Sequence, residues 1–428
     1  MRYVIIGNSA AGIGAVEGIR RAEKEQSRET QSEITIVTSE KHHTYARPLI
    51  SYLLLGKTTE NGMKYRADDF YAKNNCTLLT ETAAAVYADK KQVILANGKS
   101  LPYDKLLVAA GSAPLVPSME GLDTVADKCT FMSLDDAHRL EVMLGQHASK
   151  RVLIIGAGLI GLKCAEGILA RAASVTVVDL APRILSSILD EDGARIVQSH
   201  LESKGVSFRL SGSVERFADY TAILNSGEEV GFDVLVLAVG VRPNTALLDG
   251  IVRIDKGILV NEKSETTMPD IYAAGDCTQS VDITNGQSKI MALLPNAYMQ
   301  GECGGVNMAG GDMRFDKALP MNAISFFELH IMTAGNYNGN AYTEREGNRY
   351  KQLFYNENAL NGYILIDTSA ERTQGESVPA YEKAGIYTSL IRERTPLDTV
   401  DFALICEKPG LLAFTKEERD MRLGGATS

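Results

Sequence analysis

The chain has 428 residues, a formal net charge of −10 and a pI of about 5.3. This length exceeds one ordinary core, so two or three domains are expected. The acidic balance disfavours sequence-independent nucleic-acid binding, which needs a basic face. The apolar runs are too short to cross a bilayer, and the first apolar run turns into a glycine motif instead of a secretion signal. We therefore expect a cytoplasmic protein.

The first predicted element is a β-turn-α unit, RYVIIGNSAAGIGAVEGIRR, which is typical of the opening of a doubly wound parallel sheet. Gly7, Ser9 and Gly12 occupy the three glycine positions of a dinucleotide-binding turn. Ser9 replaces the central glycine, and its small side chain still allows a pyrophosphate to approach. Glu40 is the first carboxylate after the next strand, EITIV. We predict that Glu40 binds the adenosine ribose.

Two β-rich stretches then bracket the turn ANGKS, which predicts a small hairpin layer. The strand YDKLLVAAG follows and ends in the turn GSAP.

A second β-turn-α unit, KRVLIIGAGLIGLKCAEGILARAASVTVVDL, is more regular. Gly156, Gly158 and Gly161 fill the pattern G-x-G-x-x-G, and Asp179 ends the next strand at the spacing of about 20 residues that the fingerprint expects. Asp179 can accept hydrogen bonds from a ribose diol and would repel a 2′-phosphate, so NAD is favoured over NADP. A solvated carboxylate at the strand end is the alternative.

The second unit is followed by a repeat of the passage that follows the first. ILNSGEEV contains a turn, FDVLVLAVG is a strand, and VRPN ends it as GSAP does earlier. The repeat predicts two structurally related domains. Further on, MPDIYAAGDC is a strand that runs into Gly275 and Asp276. From about residue 313 a hairpin (YKQLFYNENALNGYILID) and an amphipathic helix (AGIYTSLIRERTPL) indicate an α+β domain.

The six cysteines show no C-x-x-C pair and no regular spacing. This pattern argues against a metal site, a disulfide framework or an iron–sulfur cluster held by this chain. No metal ligand is therefore predicted.

The motifs VIIGNSAAG, YARPLIS, LLVAAGSAP, FMSLDDA, GAGLIGL, LAVGVRPN and IYAAGDC together resemble the FAD-dependent pyridine nucleotide-disulfide oxidoreductases. These flavoproteins have two dinucleotide-binding domains, and the similarity covers nearly the whole chain. Within the superfamily the chain looks most like NADH:rubredoxin oxidoreductases and the flavin domain of nitrite reductases. It also resembles NADH-coupling flavoprotein subunits of 2-oxoacid dehydrogenase complexes such as phenylglyoxylate dehydrogenase. The resemblance implies FAD and NAD as cofactors.

The fold class that follows is α/β, with two related Rossmann-like three-layer dinucleotide-binding domains and a C-terminal α+β domain. We predict that residues 1–112 and 247–312 form a discontinuous FAD-binding domain. Residues 113–246 would form the NAD-binding domain, and 313–428 the C-terminal interface domain.

The resemblance also implies a set of residues for each cofactor. The FAD set is Gly7, Ser9, Ala10, Ala11, Gly12, Glu40, Arg47, Pro48, Ala83, Ala110, Gly111, Gly275, Asp276, Pro295 and Asn296. The NAD set is Gly156, Gly158, Leu159, Ile160, Gly161, Asp179 and Gly240. Asp276 would bind the ribityl and phosphate region of FAD. The helix that begins near Pro295 would point its N-terminus at the flavin, where its dipole favours an anionic reduced flavin; a packing helix is the alternative.

The segment YARPLISYLLLG, residues 45–56, is expected to lie along the flavin, with Arg47 and Pro48 against the isoalloxazine ring. Relatives with a redox-active cysteine place it where this chain has Leu55, which cannot form a thiolate. Related ferredoxin reductases pair a lysine with a glutamate, and this chain has Tyr52 and Lys163 at those two positions. Lys163 is therefore either a cation near flavin and nicotinamide that steers hydride transfer, or a lysine that extends into solvent. The predicted catalytic residues are Arg47, Pro48 and Lys163.

These features predict an enzyme that passes electrons from NADH through FAD to a one-electron carrier, without a redox-active cysteine. Hydride transfer needs positioning and exclusion of water more than an acid or base. The carrier would be rubredoxin, ferredoxin or an iron–sulfur subunit of a larger complex, and the chain a homodimer or such a complex's subunit. An NADH oxidase that uses oxygen and a binding protein regulated by FAD and NAD are the alternatives.

Acidic carriers would be repelled by an acidic chain. Docking therefore needs a local basic patch, for which Arg392, Arg394, Lys408 and Lys416 are candidates, or permanent assembly in a complex.

Overall fold

The structure is a computed structural model that describes residues 1–28, 31–145, 149–368 and 380–407. These residues form two compact units. Unit 1 comprises Met1–Pro182, Gly205–Asp282 and Gly286–Ala318, and unit 2 comprises Arg183–Lys204, Ile283–Asn285 and the described residues from Leu319 onward.

The helices of the described residues are, in chain order, α1 (Ala10–Glu25), α2 (Ile50–Leu54), α3 (Phe70–Lys73), α4 (Leu134–Leu144), α5 (Leu159–Ile168), α6 (Glu191–Ser203), α7 (Leu294–Met308), α8 (Ala380–Arg392) and α9 (Phe402–Glu407). A short 3-10 turn, Arg47–Leu49, leads directly into α2.

The strands up to Ala218 are β1 (Arg2–Ile6), β2 (Glu33–Thr38), β3 (Cys76–Thr80), β4 (Ala83–Tyr87), β5 (Gln92–Leu95), β6 (Ser100–Pro102), β7 (Lys105–Val108), β8 (Ser112–Pro114), β9 (Lys128–Thr130), β10 (Arg151–Ile155), β11 (Ser174–Val178), β12 (Val206–Arg209) and β13 (Val214–Ala218). The later strands are β14 (Thr221–Leu224), β15 (Glu229–Gly231), β16 (Val234–Leu237), β17 (Val241–Pro243), β18 (Ile258–Leu259), β19 (Ile271–Ala273), β20 (Thr278–Val281), β21 (Ser288–Lys289), β22 (Met321–Phe326), β23 (Leu329–Gly335), β24 (Asn340–Glu346), β25 (Arg349–Tyr355) and β26 (Leu360–Thr368).

Unit 1 contains two five-stranded parallel sheets of the same topology. Their strand orders are β19-β7-β1-β2-β3 and β9-β16-β10-β11-β12, so each glycine turn follows a central strand. The central strands β1 and β10 are buried from their second residue onward, as expected for apolar strands covered on both faces. The predicted pair of Rossmann-like folds is therefore confirmed.

The smaller layers of unit 1 also repeat. The antiparallel sheets β4-β5-β6 and β13-β14-β15 are the two predicted hairpin layers. The endings GSAP and VRPN pair with each other, because β8 and β17 form a two-stranded ribbon in which Ser112 faces Pro243 and Pro114 faces Val241. This ribbon links the end of one fold to the end of the other.

Helices α1 and α7 approach each other so closely that glycines are required between them. A Cβ atom added at Gly301 would overlap the carbonyl of Ala11, and one added at Gly305 would overlap the carbonyl of Ala15. Both contacts advance in the same direction along the two helices, so their N-termini lie at the same end. Helix α1 has glycines for the same reason, since a Cβ atom added at Gly14 would overlap the carbonyl of Tyr298 and one added at Gly18 would overlap that of Glu302.

Unit 2 is built on the antiparallel sheet β22-β23-β26-β25-β24. Leu365 of β26 and Tyr387 of α8 belong to the same hydrophobic core. Helix α6 belongs to this unit, because the Tyr350 hydroxyl donates to the carboxylate of its N-cap residue Asp190. The sequence places α6 within residues 113–246. The division into three domains is finer than these two units and stays a prediction.

Where the structure describes the chain, no helix has both the length and the apolar character that crossing a membrane requires.

Candidate functional site

Of the four helices of unit 1 with ten or more described residues, three begin with open N-termini. In the described structure, α1, α5 and α7 have no side-chain cap and no acidic residue in their first turn. Helices α4 and α6 differ, since Ser133 and Asp190 cap them and acidic residues follow. Uncapped N–H groups and the positive end of the helix dipole favour an anion. The three open ends therefore suit phosphate or reduced-flavin charge.

The turn before α1 forms a tight cradle. Gly7 has φ +120°, and a Cβ atom there would overlap the carbonyl of Ala109, while one at Gly12 would overlap the carbonyl of Gly7. Ser9 is the N-cap residue but makes no side-chain cap, and Ala10 opens the helix. The cradle thus leaves backbone N–H groups for a pyrophosphate, which fits the dinucleotide predicted here.

The turn before α5 has the same construction. Gly156 has φ +114° and packs against the carbonyl of Ala238. No atom lies within 4 Å of where a Cβ atom of Gly158 would be, so the space above the turn is open. Leu159 and Ile160 begin α5 directly after it. This second cradle also fits a dinucleotide.

Asp179 lies beside the second cradle. Its carboxylate accepts the N–H of Ala157 at 2.5 Å and the N–H of Ala181 at 2.7 Å. These two bonds hold the carboxylate at the end of β11, next to Gly156. Its contact with a ribose diol stays a prediction.

Asp276 lies where the first fold closes on itself. Gly275, with φ +80°, brings the chain so close to α1 that its Cβ would be 3.1 Å from Ala11 Cβ. Burial raises the pKa of the Asp276 carboxyl, while the Arg47 guanidinium and the Ser112 hydroxyl oppose the rise. Residues of the YARPLIS motif and the GSAP turn therefore meet the IYAAGDC motif at Asp276, and Ala11 of α1 lies beside Gly275.

Arg47 and Glu40 form an ion pair, with side chains that are 33% and 26% exposed. Arg47 Nη1 also donates to Tyr45 Oη and to the carbonyl of Met132, each at 3.3 Å. Arg47 thus has an ion-pair partner in Glu40, and it faces Asp276 as well. Ribose binding by Glu40, and the contact of Arg47 and Pro48 with flavin, stay predictions.

Lys163 does not extend into solvent, since its side chain is only 15% exposed. Its ammonium pairs with Glu166, whose side chain is 1% exposed, and lies 4.4 Å from the centre of the Tyr52 ring. The two positions that differ from the ferredoxin reductases are therefore in contact. Whether Lys163 reaches the flavin stays a prediction.

A small apolar cavity lies in the second fold of unit 1. It is lined by Pro114, Phe131, Met132, Ile160, Leu237, Ala238, Gly240 and Val241. Two of these residues, Ile160 and Gly240, belong to the predicted NAD set. Ile160 is in the first turn of α5, directly after the second cradle. That the nicotinamide end of NAD binds beside this cavity stays a prediction.

The remaining predicted residues occupy three places in unit 1. Ala83 begins β4 in the first hairpin layer. The carbonyls of Ala110 and Gly111 accept hydrogen bonds from Asn244, which fixes the start of the β8–β17 ribbon. Pro295 and Asn296 lie in the first turn of α7, and Asn296 is buried. Their contacts with FAD stay predictions.

Burial raises the pKa of all six cysteines, including Cys164 of α5 and Cys277, which directly follows Asp276, so their environments keep the thiols protonated. Burial raises the pKa of Cys76, Cys303 and Cys406 to about 11 and that of Cys129 and Cys277 to about 12. Within the described ranges, no cluster of three or more possible metal-ligating side chains is placed to hold a metal ion.

Sequence reasoning missed three features of the site. Tyr45 begins the motif YARPLIS and Glu166 follows the motif GAGLIGL, but neither carries a local signal of its buried contacts. The close packing of α1 on α7 does have a signal, because Gly14 and Gly18, like Gly301 and Gly305, are spaced four residues apart on one helix face.

Comparisons with known proteins agree with this geometry. Residues 1–301 match the family described as pyridine nucleotide-disulphide oxidoreductase. The chain is 30% identical over 411 residues to the epsilon subunit of the NADH-dependent phenylglyoxylate dehydrogenase of Aromatoleum evansii, covering 92% of each chain. It is 32% identical over 347 residues to an NADH oxidase of Methanocaldococcus jannaschii, covering 78% of this chain and 76% of that one.

The fold is also that of the reductase in a covalent putidaredoxin reductase–putidaredoxin complex. The TM-score is 0.83 at 22% identity, and the match covers 99% of both chains. The two cradles and the three open helix ends fit the FAD and NAD that this family uses. The chain belongs to the pyridine nucleotide-disulphide oxidoreductase family and is an NAD(P)H-dependent flavoprotein oxidoreductase.

Proposed function

We propose that the protein takes electrons from NADH through FAD and passes them singly to a protein electron carrier, without a redox-active cysteine. In this proposal residues 1–112 and 247–312 hold FAD, 113–246 hold NAD, and 313–428 serve as an interface. The enzyme works in the cytoplasm as a subunit of a larger complex.

The observation that carries the proposal is the chemistry of residues 45–56. This segment contains α2 and the ion-paired Arg47, and it contains no cysteine. Leu55 stands where relatives have a redox thiol, and Tyr52 contacts Lys163 instead of supplying a lysine. Dithiol and sulfenic-acid chemistry need a thiolate at the flavin. Direct electron transfer from the flavin to an external acceptor needs no thiolate.

FAD, when bound, would supply the acceptor for the hydride of NADH and the means to release electrons one at a time. The first cradle, at Gly7 to Gly12, would hold the FAD pyrophosphate, and the second, at Gly156 to Gly161, that of NADH. Asp179 would bind the NADH ribose. The wall of Phe131 and Met132 would keep water from the nicotinamide.

Lys163 and the N-terminus of α7 would favour negative charge on the reduced flavin, because each places positive charge in its surroundings. Arg47 and Pro48 would lie against the ring, with Arg47 between Glu40 and Asp276. Positioning and electrostatics would thus carry the reaction.

The charge of the chain supports assembly with its acceptor. A net charge of −10 repels free rubredoxins and ferredoxins, which are commonly acidic. Two of the four residues considered for a basic docking patch make hydrogen bonds within unit 2. Arg392 donates to the sulfur of Met321, and Arg394 donates to the carbonyl of Ile283. Lys408 and Lys416 lie outside the described residues. The similarity to an epsilon subunit of an NADH-dependent dehydrogenase favours a permanent iron–sulfur partner.

A second candidate is an NADH oxidase that reduces oxygen, and the similarity to the Methanocaldococcus jannaschii protein favours it. Leu55 argues against the cysteine-dependent form of that reaction. A third candidate, a binding protein regulated by FAD and NAD, would form a stable complex with NADH and not turn over.

The decisive experiment is purification of the untagged native protein with whatever copurifies, followed by anaerobic mixing with NADH. We expect rapid bleaching of the flavin and reduction of an iron–sulfur partner over many turnovers. Oxygen uptake that matches NADH consumption would favour the oxidase. Bleaching without turnover to any carrier or oxygen would contradict an enzyme and favour the binding protein.

A further inference from the structure

The segment between β2 and α2 contains a closed network of three side chains. Glu40 pairs with Arg47, and the Tyr45 hydroxyl donates to Glu40 Oε2 at 2.8 Å. Arg47 Nη1 donates to Tyr45 Oη at 3.3 Å, and the guanidinium lies 5.4 Å from the centre of the Tyr45 ring. Tyr45 is 8% exposed. Each residue of the network therefore contacts the other two.

The network also holds the start of α4, which belongs to the other dinucleotide fold. The N–H of Leu134, the first residue of α4, donates to Tyr45 Oη at 3.0 Å, and the carbonyl of Met132 accepts from Arg47. The first N–H groups of a helix lack partners within it. Ser133 caps the N–H of Asp136, so Tyr45 supplies a partner for a second N–H from across the site.

The Tyr45 hydroxyl has no hydrogen-bonding capacity left. A phenol has one donor and two acceptor positions. The hydroxyl donates its hydrogen to Glu40, and its oxygen accepts hydrogen bonds from the N–H of Leu134 and from Arg47 Nη1. Because all three hydrogen bonds hold the hydroxyl oxygen in place, they also fix the distance between Arg47 and the backbone at Met132. Met132 and its neighbour Phe131 line the apolar cavity.

We propose that Tyr45 is a positioning residue for hydride transfer, which fixes the Met132 wall of the nicotinamide cavity against Arg47 on the flavin side. The proposal rests on the proposed function, since it concerns how NADH meets the flavin. In this arrangement Glu40 is the counter-ion that orients Arg47. Tyr45 touches neither reactant, and it acts through the two segments that it joins.

The test is Tyr45→Phe in the FAD-loaded protein, because phenylalanine keeps the ring and removes only the hydroxyl. Three quantities are measured: the limiting rate of flavin reduction by NADH under anaerobic conditions, the Kd of NAD⁺, and the Kd of ADP-ribose, which lacks nicotinamide. We expect the rate to fall about 10-fold and the Kd of NAD⁺ to rise, because the loss of one buried hydrogen bond has an effect of about this size. The Kd of ADP-ribose should not change.

Two further observations make the test specific. Amide exchange at Leu134 should accelerate in Tyr45→Phe, because its N–H loses its partner. Glu40→Gln should also slow flavin reduction, and the double variant should be no slower than Tyr45→Phe alone, because residues of one network are not additive. Additive losses, or equal loss of affinity for ADP-ribose and NAD⁺, would overturn the proposal.

Tyr350→Phe is the matched control. Tyr350 is also buried and donates to a carboxylate, that of the helix cap Asp190, but it belongs to unit 2. It should leave the reduction rate unchanged. A wild-type flavin that NADH does not reduce would defeat the proposed function itself, whereas a wild type that is reduced and a Tyr45→Phe variant that matches it would defeat only the role of Tyr45.

Discussion

Lys163 holds its ammonium nitrogen 4.4 Å from the centre of the Tyr52 ring, across the contact between α5 and α2. A cation over an aromatic face is attracted by about 0.5–2 kcal/mol. The ammonium also pairs with the buried Glu166. Because Tyr52 follows Arg47 and Pro48 in the segment expected beside flavin, this contact carries a positive charge toward that side of the site.

Lys163→Met should therefore make the midpoint potential of the flavin more negative and slow its reduction by NADH about ten-fold, which corresponds to about 1.4 kcal/mol. Loss of the cation disfavours the anionic reduced flavin. Potentiometric titration and stopped-flow absorbance measure the two effects. Lys57→Met is the control, since the Lys57 ammonium lies 5.9 Å from the same ring on an exposed residue. Equal potentials and rates in all three proteins would refute the role of Lys163.

Asp179→Ser should shift the enzyme from NADH toward NADPH. The carboxylate would no longer repel a 2′-phosphate or accept from the ribose diol, so kcat/KM with NADH should fall by about 10- to 100-fold. Steady-state assays with both nucleotides give the ratio. Asp233→Asn serves as control, because Asp233 pairs with Arg151 at the surface. A ratio of NADPH to NADH activity that does not rise in Asp179→Ser would count against the prediction.

Asp276→Asn should stabilise the flavin-free protein at neutral pH while it weakens FAD binding. Burial raises the pKa of this carboxyl above its ordinary value of 3.8, so the folded state keeps the proton to a higher pH than the unfolded chain. The free energy of unfolding therefore falls as pH rises from 3.8 through the folded pKa, and asparagine removes this loss.

Urea denaturation of the flavin-free protein from pH 4 to 8 measures the first effect, and fluorescence titration with FAD the second. The wild type and Asp276→Asn should differ most at pH 7 and converge toward pH 4. A difference that does not depend on pH would show that Asp276 titrates alike in both states.

Gly301→Ala should destabilise unit 1 and reduce its FAD content. The added methyl group would meet the backbone of Ala11, and separating α1 from α7 disturbs both helix N-termini at once. Overpacking of this kind costs about 1–3 kcal/mol. Gly385→Ala on α8 is the control, because no atom lies within 4 Å of its Cβ position, and alanine there should raise stability by up to about 1 kcal/mol.

Thermal unfolding and the ratio of flavin to protein absorbance test this pair. A Gly301→Ala protein that is as stable as the wild type would mean that the helices separate without cost.

The sequence by itself determined the two dinucleotide folds and the cradles. Gly7 and Gly156 adopt a positive φ, and Gly12 and Gly161 approach the carbonyls of Gly7 and Gly156 in the same turns, so these requirements for glycine are local. The repeated endings GSAP and VRPN predicted two related domains. They did not predict that β8 and β17 pair with each other.

Only the tertiary structure decided what the charged side chains do. Lys163 extends toward Tyr52 and not into solvent, Glu40 pairs with Arg47, and Tyr45 caps Leu134 on the other fold. The contacts of Lys163 with Tyr52 and of Tyr45 with Leu134 join residues far apart in the chain, so no local pattern encodes them. Their direction depends on burial, which is settled only when the two folds of unit 1 come together.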